Sequence, residues 1–372
     1  MNLLKAAVIF PKDSEALFNR NSSRTFGGAN VQMFMIAREL GKKDGVEASS
    51  LIPNYREIDF NDSEHFNLVK TFNENDSIFR KIRTYHRVIR EIKPDVIIQR
   101  GLTLISCFLS VYCRLMGIKF VFMFAHDIES HGRYQRDRSR CLLFPLLMRS
   151  VYLAVPQNQY EKDQLKRYDR GGNIKILKKG IEIETIRGFI SEHLTKKYDA
   201  VWVARCERWK HPEIFLDLAR KNPDFRFLMI CSPVDGQEEY YNSVKDRAEG
   251  IENVEFIAFV KNNGIYQLLA ASRVFCITSD MEGDWPMTVL EAGAVGVPVL
   301  SLNLNYGELI DQYGGGVYCG GDLSKMEESL RMMVEYEDVY RKMSDGVKGY
   351  VQETHDIVRN VGKLVDFVSR ES

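Results

Sequence analysis

The sequence predicts an α/β protein of two domains, each a parallel sheet with crossover helices. Two observations predict it. Short apolar runs alternate with amphipathic segments along most of the chain, and that alternation breaks once near the middle. The 372 residues also exceed one ordinary core and suit two domains of about 150–200 residues each. In the first half Ala6–Phe10, Val96–Gln99, Phe120–Phe124 and Val151–Val155 read as buried strands. In the second half Ala200–Ala204, Phe225–Cys231, Val254–Phe259, Val274–Thr278 and Val297–Leu300 do so. Val31–Leu40, Ile78–Ile92 and Pro212–Lys221 read as amphipathic helices between them. The expected domains are therefore 1–178 and 199–354, with 179–198 as a linker. The last helix-like segment, 355–372, can complete either one.

Composition narrows the class. Apolar residues at 45% and charged residues at 27% are the balance of a soluble globular chain. No run of about 18 apolar residues is present to span a bilayer. MNLLKAAVIFPKDSE is apolar only briefly, which suits a first buried strand rather than a signal peptide. The seven cysteines form no CxxC pair and read as reduced, mostly buried thiols of a cytoplasmic protein. The net charge is zero, yet residues 1–190 carry a net +10 and residues 191–372 a net −10. A basic half joined to an acidic half suggests different partners for the two domains. No zinc-finger spacing, RNP motif or basic repeat occurs, so no nucleic-acid partner is expected.

Four segments can carry chemistry. The first is Ser279–Leu300, SDMEGDWPMTVLEAGAVGVPVL, entered from a strand. Asp284 near an N-cap, Pro286 in a first turn and Gly296 at the end read as a helix. Its amino end offers free amides and a positive dipole to a phosphate. Glu291 within that helix can accept hydrogen bonds from vicinal hydroxyls, or salt-bridge locally. The second is VWVARCERWKHP, where a strand ends at Arg205 and Lys210 follows five residues later. Two cations at the carboxyl end of a parallel strand can neutralise a diphosphate, or stand as solvated surface charges. The third is TFGGAN, with Gly27 and Gly28 opening a helix; it is not GxGxxG and does not support a nicotinamide site. The fourth is Ala125-His126-Asp127 at the end of the strand KFVFMF.

Together these segments resemble the retaining GT-B glycosyltransferases of family 4, over nearly the whole chain. FGGANVQMFMIAREL is similar to that family's glycine loop and helix, and FAHD to its strand-end histidine. NIKILKKGIE resembles the segment that closes the first domain, with Lys179 where asparagine is usual. VARCERWKHPE resembles the Arg-x4-Lys donor motif, with Ala204 and His211 where glycines are usual. NVEFIAFV and EGDWPMTVLEAGAVGVPVL resemble the strand and acidic motif of the second domain. The family spaces its two glutamates as E-x7-E; here eight residues separate Glu282 from Glu291, so either Glu282 or Asp284 fills the first position.

The resemblance implies two Rossmann-like domains with parallel sheets facing across a cleft, and hexosyl transfer with retention from a UDP- or GDP-sugar. It implies a catalytic set of His126, Arg205, Lys210 and Glu282. It implies donor contacts from Gly27, Gly28, Arg205, Lys210, Phe259, Val260, Asp284, Trp285, Met287, Thr288 and Glu291. No cofactor is implied, and no metal, because Arg205 and Lys210 already match the phosphate charge. The first domain would meet a glycan or lipid-linked acceptor. Basic clusters at 78–93 and 131–150, the second around CLLFPLLM, suit peripheral contact with an anionic membrane face. Nucleotide-sugar 2-epimerases share the fold, and a non-catalytic relative is a further alternative; retention of Arg205, Lys210 and Glu291 together speaks for catalysis.

Overall fold

The computed structural model describes residues 3–22, 27–60, 63–125, 127–131, 138–191, 194–260 and 264–369. The chain forms two compact units, Met1–Gly180 with Ile357–Ser372, and Ile181–Asp356. Unit 1 holds strands β1 (Leu4–Ile9), β2 (Val46–Ile52), β3 (Asn67–Lys70), β4 (Val96–Arg100), β5 (Lys119–Met123) and β6 (Leu153–Val155). Unit 2 holds β7 (Tyr198–Arg205), β8 (Phe227–Ser232), β9 (Val254–Ile257), β10 (Ser272–Ile277), β11 (Val299–Ser301) and β12 (Gly316–Tyr318). Every pairing is parallel, in the orders β3-β2-β1-β4-β5-β6 and β12-β11-β10-β7-β8-β9. The α/β class expected from the alternation is the one observed.

Each sheet grows outward in one direction, then returns to its middle and grows the other way. The return falls between β1 and β4 in unit 1 and between β7 and β10 in unit 2. Such a reversal leaves a crevice at the carboxyl ends of the two central strands. The central strands are apolar on both faces because helices cover both. In unit 1 the helices Ile78–Ile92, Leu104–Met116 and Arg138–Ser150 share one face, through Tyr85, Val88, Cys107, Leu109, Phe144 and Leu147. The helix Gly28–Lys42 covers the other face, and Ile357, Val361, Leu364 and Val368 of the last helix join it there.

Local signals set the helix starts. Ser77 accepts from the Arg80 amide, and Thr103 and Ser106 form a reciprocal capping box. Asp322 caps the helix Leu323–Glu335. Gly117, at φ 71°, ends Leu104–Met116 in the left-handed conformation.

Three strands were missing from the sequence reading. β2 reads VEASSLI, whose glutamate and serines hide its buried half, and the edge strands β3 and β12 are only four and three residues long. The expected linker 179–198 also differs. Ile181, Ile183 and Ile186 are fully buried in the unit 2 core, and β7 already begins at Tyr198. Six of the cysteines are described as free, buried thiols; the Cys141 side chain lies outside the described residues.

Gly316 in β12 lies so close to β11 that a Cβ there would sit 2.0 Å from the Val299 carbonyl oxygen. Backbone cannot yield as a side chain can. Gly316→Ala is expected to destabilise unit 2 by about 1–3 kcal/mol, as overpacking does. Urea unfolding followed by amide exchange should show the loss in unit 2 and leave unit 1 unchanged.

Candidate active site

The crevice of unit 2 collects the most charge. β7 ends at Arg205 and leads into the loop 206–211; β10 ends at Ile277 and leads into the loop 278–286. Because β7 and β10 are neighbours, these loops lie side by side, and backbone groups zip them together. The Asp280 amide donates to the Trp209 carbonyl at 3.0 Å. Thr278 Oγ1 donates to the Lys210 carbonyl at 2.6 Å and accepts from Trp202 Nε1 at 3.0 Å. These bonds satisfy polar groups that the ends of two buried strands would otherwise leave bare.

Side chains repeat the pattern. Lys210 Nζ bonds Glu282 Oε1, with both side chains almost wholly buried, and Ser279 Oγ donates to the same oxygen at 3.1 Å. The Lys210 ammonium also lies 4.2 Å from the centre of the Trp209 ring. Arg205 is mostly exposed and pairs with Glu207 at 3.2 Å. His211 lies between Asp280, at 2.7 Å from Nε2, and Glu213, at 3.3 Å from Nδ1. Both neighbours raise its pKa, Asp280 more than Glu213.

The helix that follows runs Met287–Ala294, with Pro286 as N-cap and no side chain capping it. Its first amides, at Met287 and Thr288, are thus available in the way an anion site requires. Glu291 lies in the second turn, half-buried, and has no hydrogen-bond partner among the described residues. Burial pushes its carboxyl up to about 8. Gly296, at φ 77°, stands just beyond the helix end, where the sequence put it.

Two sequence expectations change here. Asp284 is not the cap. It is 2% exposed, and its Oδ1 accepts from the adjacent Trp285 amide at 2.9 Å. Trp285 does not face solvent: it is 0% exposed, in the unit 2 core, edge-on to Tyr306 with ring centres 5.1 Å apart. Glu282, not Asp284, therefore sits against the cation of Lys210.

The other predicted residues are more dispersed. Phe259 is exposed and Val260 packs on the core, both following β9, the edge strand two places out from β7. In unit 1, Gly27 is the exposed N-cap of Gly28–Lys42, with open space where its Cβ would be. His126 lies outside the described residues, as does the Asp127 side chain.

Sequence reasoning missed Glu129. It is 2% exposed and accepts from the amides of Leu102 at 2.9 Å and Ala125 at 2.8 Å, joining the ends of β4 and β5. Buried Arg100 donates to Gln157 at 2.7 Å beside it. A single carboxylate in a four-residue helix carries no pattern that could have signalled this.

With this geometry in view, comparison with known proteins is informative. Residues 185–345, most of unit 2, match the family described as Glycosyl transferases group 1. An uncharacterized glycosyltransferase of Haemophilus influenzae is 27% identical over 132 residues, 34% of this chain and 36% of that protein. The aligned stretch thus spans about a third of that relative's length. Among solved structures, HepE of Anabaena in complex with UDP has a TM-score of 0.77 at 15% identity, over 98% of this chain and 99% of that one. HepE has also been solved with UDP-glucose. The UDP-GlcNAc 2-epimerase of Neisseria meningitidis, bound to UDP-GlcNAc, has a TM-score of 0.63 at 16% identity, over 99% and 100%. Both sheets thus follow the GT-B fold, and residues 185–345 are similar to the group 1 glycosyl transferases.

The raised Glu291 carboxyl has a measurable consequence. The folded protein holds this proton above the ordinary glutamate value of 4.5, so folding favours the neutral form. Stability should therefore fall as pH rises between about 4.5 and about 8, as the charged form takes over. Glu291→Gln should remove that slope and raise the melting temperature near pH 8 relative to the wild type. Parallel melting curves over this window check it.

Proposed function

We propose that the protein is a retaining glycosyltransferase that moves a hexosyl group from a UDP- or GDP-sugar to a glycan or lipid-linked acceptor. The observation that carries this reading is the juxtaposition, at the crevice of unit 2, of Lys210, Arg205 and an uncapped helix start. In the reaction the bond from the anomeric carbon to the diphosphate oxygen breaks and its electron pair stays on the diphosphate. The acceptor hydroxyl forms the new bond and gives its proton to the departing diphosphate. The growing negative charge is what Arg205, Lys210 and the amides of Met287 and Thr288 would stabilise. Glu291 would accept from the ribose hydroxyls, and Glu282 would orient Lys210 and the sugar. Gly27 and Gly28 would let the backbone approach the donor, Phe259 and Val260 would lie by the base, and His126 by the transferring sugar. The cations come from the chain, so the proposed reaction is metal-independent. Asp284 and Trp285 hold the loop from within. The family match favours this reading over a 2-epimerase, and turnover of a nucleotide-sugar with an acceptor distinguishes it from both an epimerase and a non-catalytic relative.

Arg205→Ala and Lys210→Ala should each lower turnover by about 10²-fold or more, as loss of a charge-stabilising donor does. Both variants should fold, since Arg205 is exposed and Lys210 lies in the loop beyond β7, where Ser279 still donates to Glu282. Wild-type rates in both purified variants would remove the donor assignment.

The acceptor side of the proposal rests on unit 1. Its three same-face helices carry exposed apolar residues, Phe79, Leu104, Leu115 and Leu142 among them. On Ile78–Ile92 the exposed Arg83, Arg87 and Arg90 have no ion-pair partner among the described residues. Of the second basic cluster, Arg133 and Arg136 lie outside the described residues, as do the side chains of Arg138 and Arg140. Free cations beside apolar side chains suit an anionic lipid surface, each contributing on the order of 1 kcal/mol there. We place the enzyme at the cytoplasmic membrane face on this basis. It should sediment with liposomes containing acidic lipid at low salt. Glu at positions 83, 87 and 90 should abolish that; binding unaffected by the reversal would refute the membrane contact.

A further inference from the structure

His211 has an unusual position twice over. Its backbone is left-handed, at φ 49° and ψ 54°, a conformation that disfavours any side chain. Among the described residues only Lys93 shares this with it outside glycine. A glycine would suit the turn better, so the imidazole must be held for another reason. Its two ring nitrogens supply one. Nε2 lies 2.7 Å from Asp280 Oδ2 and Nδ1 lies 3.3 Å from Glu213 Oε1. A neutral imidazole donates from one nitrogen only, and its other nitrogen would turn a lone pair toward a carboxylate. The imidazolium donates from both. The arrangement therefore fits the charged ring.

The carboxylates are themselves held. Asp280 Oδ1 accepts from Asn303 Nδ2 at 3.4 Å, and Glu213 Oε2 accepts from Tyr240 Oη at 2.7 Å. The Arg208 guanidinium lies 4.4 Å from the centre of the Tyr240 ring. Of the other titratable groups in this segment, Lys210 pairs with Glu282, Arg205 pairs with Glu207, and the Cys206 thiol lies within electrostatic reach of Glu213. His211 thus joins the loop after β7 to the loop after β10, to the helix Pro212–Lys221 and, through Glu213, to the helix Glu238–Glu249.

We propose that His211 is a positioning residue whose protonated ring adds a latch, beside the backbone bonds, between the loop carrying Asp280 and Glu282 and the loop carrying Lys210, so that the anion site of unit 2 is held most firmly while that ring is charged. The inference deepens the donor-site reading above and rests on it where the donor is concerned; the latch itself does not. Two carboxylates raise the pKa of His211 in the folded chain. The latch is therefore complete below the ordinary histidine value and is lost as pH rises through the raised one. Glu291 titrates with the opposite consequence for a ribose, since ionisation makes it a better acceptor. The comparison that isolates His211 is accordingly between wild type and a variant at that residue.

The test uses the full chain with His211→Gly, which keeps the left-handed turn, and His211→Gln, which has only one donor end. Amide exchange of 206–211 and 278–284, corrected for intrinsic rates, is followed at about pH 6 and about pH 9. The wild type should be better protected at the lower pH than at the higher, while both variants show the weaker protection at both. UDP-glucose, whose diphosphate charge is constant over this range, is then titrated calorimetrically. Its affinity for the wild type should weaken about tenfold across the range relative to His211→Gly, the effect of losing one hydrogen bond to a charged group. Protection in His211→Gly equal to wild type at the lower pH would overturn the latch, as would identical pH profiles of UDP-glucose binding. Binding of no nucleotide-sugar by any form, with the exchange pattern as expected, would instead sink the donor reading and sustain the latch.

Discussion

The second sheet changes its direction of growth once, between β7 and β10, and the site depends on that reversal. Two adjacent parallel strands end at the same level, and no crossover helix passes between their ends. Their last polar groups must find partners across the gap or stay bare. Here they find each other, Asp280 N with Trp209 O and Thr278 with Lys210 O. Those bonds fix two loops side by side, and the loops with the residues that flank them carry Arg205, Arg208, Lys210 and His211 together with several carboxylates. The chemistry is thus set by backbone satisfaction first and by side-chain choice second.

Three of these cations have carboxylates of their own, Glu282 for Lys210, Glu207 for Arg205, and Asp280 and Glu213 for His211, while Arg208 lies over the Tyr240 ring. A buried ammonium is costly unless paired, so Lys210 needs Glu282 while no anion is bound. The pair keeps the ammonium in place but also competes with a ligand for it. A diphosphate would have to share Lys210 with Glu282, and Arg205, exposed and freer, is the cation better able to move toward it. The strength of the site then lies in its preorganisation more than in a surplus of positive charge.

What the sequence discloses follows from which features are local. The central strands are continuous apolar runs, and they were read correctly as strands within a residue or two at most ends. β2 was not, because its glutamate and serines hide its buried half, and β3 and β12 were not, because they are edge strands of only four and three residues. Arg205, Lys210, Glu282 and Glu291 were legible as a spaced set near strand ends. The left-handed turn of His211 was legible only as a residue standing where glycine is usual. Its double pairing was not legible at all, since Asp280 is 69 residues away in sequence. Glu129 was invisible for the same reason: it bonds amides of two loops, and a pattern along one strand cannot show that.

The burial of Trp285 explains how the acidic loop can hold one extra residue without losing its register. Had the additional residue bulged outward, the carboxylate ahead of it would have been carried away from Lys210. The indole instead turns into the core, 0% exposed and edge-on to Tyr306, and Asp284 closes back on the Trp285 amide. Tyr306 in turn donates its hydroxyl to the Glu282 carbonyl, which ties the loop from the far side. The slack is taken up inside the unit by the largest side chain available, so the loop's outer part keeps its place. That is why Glu282 faces Lys210 although the spacing to Glu291 is longer than the usual one, and why a residue that reads in sequence as a surface contact is better understood as a wedge.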